Sequence, residues 1–387
     1  MDNSFETRVR ARLANLGSKG LLRTLTPPRG IDLSSNDYLG LGDHPRLVER
    51  FAEAVGREGC GSTGSRLLRG HREGFAAVER RFAAFKRTER SIYFSSGYLA
   101  NIAVLATLPE KGDVIFSDER NHASLIDGIR LSRAQRVVFQ HNDVDDLVRL
   151  LSEFKHGPVN QRFVVVESLF SMDGDYAPLA DYVSVCQNFG AVLFVDEAHA
   201  VGVYGDDGSG LIHSAGIDDD VLLSVNTAGK ALGVAGAFVA GPAWLIDYLE
   251  QRARPFVFST ASPPALAAAL DASLDVIAGE PERRKRLLAR VRFLRVRLKQ
   301  AGLPLPTDTS QIIPVIVGDN TAAVNLAQAL QQRGFDVRAI RPPSVPDNTA
   351  RLRVAVNARL SEDDLDRFVD ALQQCLGELG RGFEACS

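Results

Sequence analysis

Lys230 is the only charged residue between Val221 and Trp244, a stretch otherwise made of apolar and small polar side chains. A buried ammonium is costly unless it is neutralised or put to use, and lysine shifts its pKa readily when buried, which suits Schiff-base chemistry. A lysine snorkelling out of a small-residue turn accounts for the same letters equally well. Asp196-Glu197-Ala198-His199 follows the apolar run Val192 to Val195, so an acid and a histidine arrive together at one strand end. Nucleotide-driven helicases carry such a quartet too, but they also need Gly-x-x-x-x-Gly-Lys-Ser/Thr. Around Lys230, Ser224 occupies the first glycine position and Ala231 the hydroxyl position. No His-Glu-x-x-His or similar ligand cluster is present, so no metal is expected. Ser95 to Asn101 follows a short strand and opens a helix, where backbone N–H groups near Gly97 and Tyr98 could hold a phosphate or simply form an N-cap. His122, in Asn121-His122-Ala123-Ser124, could lie over a flat ligand or be satisfied within its own loop.

Taken together, these residues fit pyridoxal phosphate. That cofactor needs a lysine for its aldehyde, an acid that keeps its ring nitrogen protonated so that the ring acts as an electron sink, and an anion cradle. Lys230, Asp196 and Gly97-Tyr98 offer one of each, and Thr227, three residues before the lysine, can add a hydroxyl to the phosphate.

The elements that must position them read as an α/β fold. Candidate strands lie at Ser91 to Phe94, Val114 to Ser117, Arg136 to Gln140, Phe163 to Glu167, Val192 to Asp196, Val221 to Val225, Ala237 to Ala240 and Phe256 to Ser259, alternating with helical segments. Continuous Val/Ile/Leu/Phe runs imply strands covered on both faces, hence a mostly parallel sheet with its ligand groups beyond the strand carboxyl ends. Helices are predicted at Phe5 to Leu16, His44 to Gly56, Glu282 to Gln300, Thr321 to Arg333 and Ser361 to Leu379, with further strands at Ile312 to Val317, Val337 to Ile340 and Leu352 to Val356. Gly59-Cys60-Gly61-Ser62-Thr63-Gly64 matches a dinucleotide fingerprint, with Glu79 about 20 residues on, but it follows a helical pattern rather than a buried strand and is read as a loop.

A chain of 387 residues, 45% hydrophobic and 24% charged, is ordinary globular composition. No apolar run approaches the roughly 18 residues of a membrane span, and no signal-peptide pattern opens the chain, so a cytoplasmic protein with no membrane partner is expected. Cys60, Cys186, Cys375 and Cys386 are scattered and read as reduced, mostly buried thiols. A net charge of −3 gives no global attraction to nucleic acid, and the basic helix Glu282 to Gln300 reads as a solvated face opposite Leu287, Val291, Leu294 and Leu298.

Over nearly its whole length the chain resembles the α-oxoamine synthases, fold-type I pyridoxal-phosphate transferases that join an amino acid to an acyl thioester with loss of CO₂. The resemblance is carried by Ser35 to Gly40, Ser96-Gly97-Tyr98, Asn121 to Ser124, Phe170 to Asp175, Asp196 to His199 and Thr227-x-x-Lys230. It implies an N-terminal arm (1–40), a large domain with a mostly parallel seven-stranded sheet (41–278) and a smaller α+β C-terminal domain (279–387). His141-Asn142-Asp143-Val144 and Ile340 to Pro346 resemble those members that condense L-alanine with a pimeloyl thioester carried on coenzyme A or acyl-carrier protein.

Position by position, the resemblance makes Lys230 the Schiff-base residue, with Asp196 on the ring nitrogen and His122 stacked on the ring. His199 and Ser171 contact the ring hydroxyl side. Gly97, Tyr98 and Thr227 hold the phosphate, helped by Ser259 or Thr260 of a second subunit in a homodimer. Asn36 and Arg353 hold the amino-acid carboxylate, and Arg23, Arg341 and Ser344 the far carboxylate of the acyl chain. Two rival readings are a sister enzyme using glycine and acetyl-coenzyme A, and a non-catalytic cofactor-binding regulator.

Overall fold

The computed structural model describes residues 4–154 and 159–384. Its contacts divide the chain into two compact units, one formed by Asn36–Ser171 and Asp175–Lys285, the other by the chain up to Ser35, Met172–Gly174 and the chain from Arg286 on.

The larger unit is built on a seven-stranded sheet. Its spatial order is Arg90–Phe94, Ala237–Gly241, Leu223–Thr227, Ala191–Asp196, Arg162–Glu167, Val114–Asp118 and Gln135–Phe139. Ala237–Gly241 pairs antiparallel with both of its neighbours, while every other pairing is parallel. The continuous apolar runs are explained by burial on both faces. Phe163, Val165 and Phe194 enter one apolar cluster, whereas Val164, Val166, Leu193 and Val195 enter the other. Successive side chains point to opposite sides of a strand, so a sheet sandwiched between helices demands an apolar residue at each position.

Phe256 to Ser259, expected as a strand, is not one. Arg254–Val257 forms a short helical turn with Pro255 at its start, and Phe258 N–H donates to the Arg254 carbonyl at 3.0 Å. Proline fits the first turn of a helix, where its missing N–H is not needed. Phe256 is buried edge-on against Phe94, while Phe258 stays 72% exposed.

The smaller unit has a three-stranded antiparallel sheet in the order Ala339–Ile340, Ala350–Ala355, Ile312–Gly318. The single strand expected over Val337 to Ile340 is replaced by two short ones, Phe335–Asp336 paired in parallel with Ile31–Asp32, and Ala339–Ile340 paired with Arg351 and Leu352. Helices Asn320–Gln332 and Glu362–Glu384 belong to this unit. In helix Glu282–Gln300 the stripe Leu287, Val291, Leu294 and Leu298 is buried. Several of its cations are engaged within the protein: Arg290 donates to the Leu360 carbonyl at 2.9 Å and Arg297 pairs with Asp366 at 2.5 Å. Cys186 and Cys375 are buried and Cys60 exposed; Cys386 lies outside the described residues. No helix among the described residues is long and apolar enough to cross a membrane.

Candidate active site

Lys230 sits in the turn joining the antiparallel strands Leu223–Thr227 and Ala237–Gly241, closed by Gly233 N–H to the Lys230 carbonyl and Ala228 N–H to the Gly236 carbonyl, both 2.8 Å. Gly233 has φ of +68°, and a Cβ there would lie 2.5 Å from Leu41 Cβ, so the turn needs glycine. The lysine is half-buried and does not snorkel outward: Nζ lies 2.8 Å from His199 Nε2. His199 Nδ1 is 2.6 Å from the Tyr38 hydroxyl, which donates to Asn36 Oδ1 at 2.9 Å. Since the single Tyr38 proton points to Asn36, Tyr38 accepts from His199 Nδ1–H, and the His199 Nε2 lone pair faces Lys230.

Asp196 ends the strand Ala191–Asp196 and is 6% exposed. It accepts from Asn101 Nδ2 at 2.7 Å and from Ala198 N–H at 2.8 Å. Asn101 also donates to Ser124 Oγ at 2.9 Å, linking the helices Gly97–Leu105 and Ala123–Leu131 beneath the acid. His122 caps the second helix: its Nδ1 accepts from Ser124 N–H at 3.2 Å, and its backbone N–H donates to Glu167 Oε1 at 2.6 Å. Burial holds the His122 imidazole below its ordinary range, with Asp196 opposing and Lys230 adding to the shift.

Gly97 opens the first helix after its N-cap Ser96, whose Oγ accepts from Leu99 N–H at 3.2 Å. A Cβ on Gly97 would fall 2.5 Å from Thr227 Oγ1, so glycine is what lets a hydroxyl and a helix N-terminus share one concavity. Tyr98 meets His122 edge-on at 6.4 Å and turns its hydroxyl away to Asp127. Lysine, buried acid, a histidine within electrostatic reach of both, and a helix N-terminus beside a hydroxyl therefore fit pyridoxal phosphate. Ser171 is buried, Ser259 is half-buried and Thr260 exposed.

In the smaller unit, Arg341 donates to the carbonyls of Gly20 and, at 3.2 Å, Leu22. Burial, and then the charge of Arg23, lower its pKa, so two guanidinium groups lie within electrostatic reach of each other. Ser344 is exposed, its N–H donating to the Arg341 carbonyl at 3.2 Å. Arg353 is buried, its N–H 3.3 Å from the Arg338 carbonyl.

Sequence reasoning gave no role to Tyr38, Asn101 or Glu167. A usable signal existed for Glu167, because Val164-Val165-Val166-Glu167 and Val192 to Asp196 are both apolar runs ending in an acid. Glu197, next to Asp196, turns the other way: it pairs with buried Lys86 and accepts Leu211 N–H at 2.6 Å and Ile212 N–H at 3.0 Å, fixing the segment that follows.

His141 is a clamp behind this edge. Its Nδ1 lies 2.9 Å from Asp118 and its Nε2 2.6 Å from Asp175. Burial pushes its pKa down, but hydrogen bonds to the two carboxylates outweigh that and raise it from 6.5 to about 9. A raised histidine stabilises the fold fully below its unfolded pKa and loses the contribution as pH rises through the folded value. His141→Gln is therefore expected to cost up to about 3 kcal/mol near pH 6, the gap to wild type narrowing by about pH 10. Denaturant melts across that range check this; a pH-independent gap would contradict it.

The comparisons with known proteins agree with this geometry. Residues 28–372 match the family model for aminotransferase class I and II. The chain is 44% identical over 384 residues to 8-amino-7-oxononanoate synthase of Anaeromyxobacter sp. (strain K), covering 96% of each. Among solved structures, Sphingomonas wittichii serine palmitoyltransferase superposes with a TM-score of 0.90 at 32% identity, covering 98% of both chains. The 8-amino-7-oxononanoate synthase of Francisella tularensis gives 0.78 at 29% identity, covering 92% of this chain and 99% of that one. With the expected sheet, the lysine turn and the acid-ended strand all in place, the chain belongs to the aminotransferase class I and II family and, within it, to the 8-amino-7-oxononanoate synthases.

Proposed function

We propose that this protein condenses L-alanine with a pimeloyl thioester to give 8-amino-7-oxononanoate, carbon dioxide and the free carrier thiol, coenzyme A or acyl-carrier protein. The carrying observation is Lys230 Nζ held 2.8 Å from His199 Nε2. Bound pyridoxal phosphate supplies the electron sink for carbanion chemistry at the alanine Cα. Lys230 Nζ removes the α-proton as general base and returns a proton after CO₂ has left, His199 orienting it. Asp196 balances the positive ring nitrogen, and His122 covers the ring face. Ser171 joins His199 at the ring hydroxyl, while Gly97, Tyr98 and Thr227 hold the phosphate. Asn36, at the far end of the row through Tyr38 and His199, receives the alanine carboxylate. The enzyme acts as a cytoplasmic homodimer, a second copy adding Ser259 or Thr260 to the phosphate. Helix Ser4–Ser18 supports a second copy, since it buries no residue and shows Phe5, Val9, Leu13 and Leu16 on its surface.

The test is incubation with pyridoxal phosphate, alanine and pimeloyl-coenzyme A, followed by mass analysis of the product. Glycine with acetyl-coenzyme A and serine with palmitoyl-coenzyme A are the competing arms; preference for either would overturn the substrate assignment. Neither competing acyl group has a second carboxylate for Arg23 and Arg341. Arg341→Gln is accordingly expected to raise KM for the pimeloyl thioester by about 10–100-fold, the worth of one charged hydrogen-bonding partner, while transfer from acetyl-coenzyme A stays within about twofold. Equal losses with both donors would remove the carboxylate role.

A further inference from the structure

Two strands of the large sheet end side by side in acids. Arg162–Glu167 and Ala191–Asp196 run parallel with Glu167 directly across from Asp196. Their side chains therefore leave the same face of strands about 4.8 Å apart. Glu167 is 3% exposed and Asp196 6%. Two carboxylates so close and so dry do not both stay ionised, because like charge and desolvation act in the same direction.

The donors decide which one keeps the charge. Asp196 accepts on both oxygens, from Asn101 Nδ2 at 2.7 Å and Ala198 N–H at 2.8 Å. Glu167 accepts at Oε1 from the His122 N–H, at 2.6 Å. We propose that Glu167 is the protonated member of this pair and acts as a positioning residue, its neutral carboxyl pinning the His122 backbone while the negative charge stays on Asp196. This rests on the functional reading in one respect, that Asp196 faces the ring nitrogen of the cofactor.

The charged and titratable groups around Glu167 come from each neighbouring element: Asp118 from the strand Val114–Asp118, Asp196, Lys230 from its turn, and His122 at the helix start. Burial and then Asp196 raise the Glu167 carboxyl well above its ordinary range, Lys230 and the His122 N–H opposing and Asp118 adding. Between its unfolded and folded pKa values the folded chain holds a proton that the unfolded chain has released, so this group lowers stability as pH rises. A glutamine at 167 keeps the acceptor for His122 and removes that titration.

Infrared difference spectra of the full-length protein, wild type minus Glu167→Gln, near neutral pH test the assignment, without and with added pyridoxal phosphate. The expected result is a protonated-carboxyl C=O band present in wild type and absent from the variant in both forms. The melting temperature of the variant should also rise relative to wild type between about pH 5 and 8. Loss of carboxylate bands alone, or a melting difference that does not vary with pH, overturns the proposal. Glu167→Ala, which leaves the His122 N–H unpaired, is expected to weaken pyridoxal-phosphate binding by about tenfold, whereas Glu167→Gln stays within about threefold. Equal losses in the two variants would also count against it. The cofactor-free spectrum alone decides the proton assignment; failure of the wild type to take up cofactor counts against the functional reading only.

Discussion

Lys230→Ala is expected to leave essentially no turnover, a loss of about 10⁴-fold or more, because the proposed function has one side chain both anchor the cofactor and move the proton. His199 does not restore turnover: the substitution frees its Nε2, which faces Lys230 Nζ at 2.8 Å, but an imidazole set back by that distance does not anchor the cofactor aldehyde. Nor does Lys230→Arg rescue it, since a guanidinium stays charged and offers no lone pair. Two readouts separate these roles from loss of fold. Borohydride treatment followed by intact-mass measurement should add the cofactor to wild type and nothing to the alanine variant, and thermal melts of the cofactor-free proteins should nearly coincide. An active variant that retains covalently bound cofactor would falsify the assignment.

Much of this arrangement was legible because strands buried on both faces advertise themselves. The runs Val114 to Ser117, Phe163 to Glu167 and Val192 to Asp196 read as apolar blocks, and Asp196 at the end of such a block has little place to be except the sheet's ligand edge. Lys230 was legible as an anomaly, a lone charge in an apolar stretch, though only its neighbours gave that anomaly a direction. What stayed hidden depended on contacts distant in sequence. Tyr38 reaches His199 across 161 positions and Asn101 reaches Asp196 across 95, and no local pattern announces either. Phe256 to Ser259 misled for the opposite reason: its apolar, aromatic letters suit a strand, but Pro255 and burial of Phe256 alone make a helical turn the better packing. Arg23 and Arg341 carry no spacing signal; resemblance singled them out, and the structure adds their mutual electrostatic reach.

Asp196→Asn is the second change with a large expected effect, about 10³-fold in turnover, equivalent to roughly 4 kcal/mol of transition-state stabilisation. The substitution keeps the size of the side chain, so the loss comes from charge and hydrogen-bond direction. Both Asp196 oxygens now face donors, Asn101 Nδ2 and the Ala198 N–H. An asparagine can satisfy only one of them, and its own amide group then opposes the other, which costs about 1–3 kcal/mol of stability in a buried site. Removing the negative charge also deprives the ring nitrogen of its proposed partner, so cofactor affinity should fall along with turnover. The pairing with Glu167 adds a signature that simple damage to the fold would not produce. Asp196 is one of the groups raising the Glu167 carboxyl, so in Asp196→Asn that carboxyl should titrate lower, and its protonated band should disappear at a lower pH than in wild type. A cofactor titration followed by absorbance, a turnover assay and the infrared band measured across pH check the three parts. Turnover within tenfold of wild type would mean that the ring nitrogen is served by another group, and an unshifted band would separate Glu167 from Asp196.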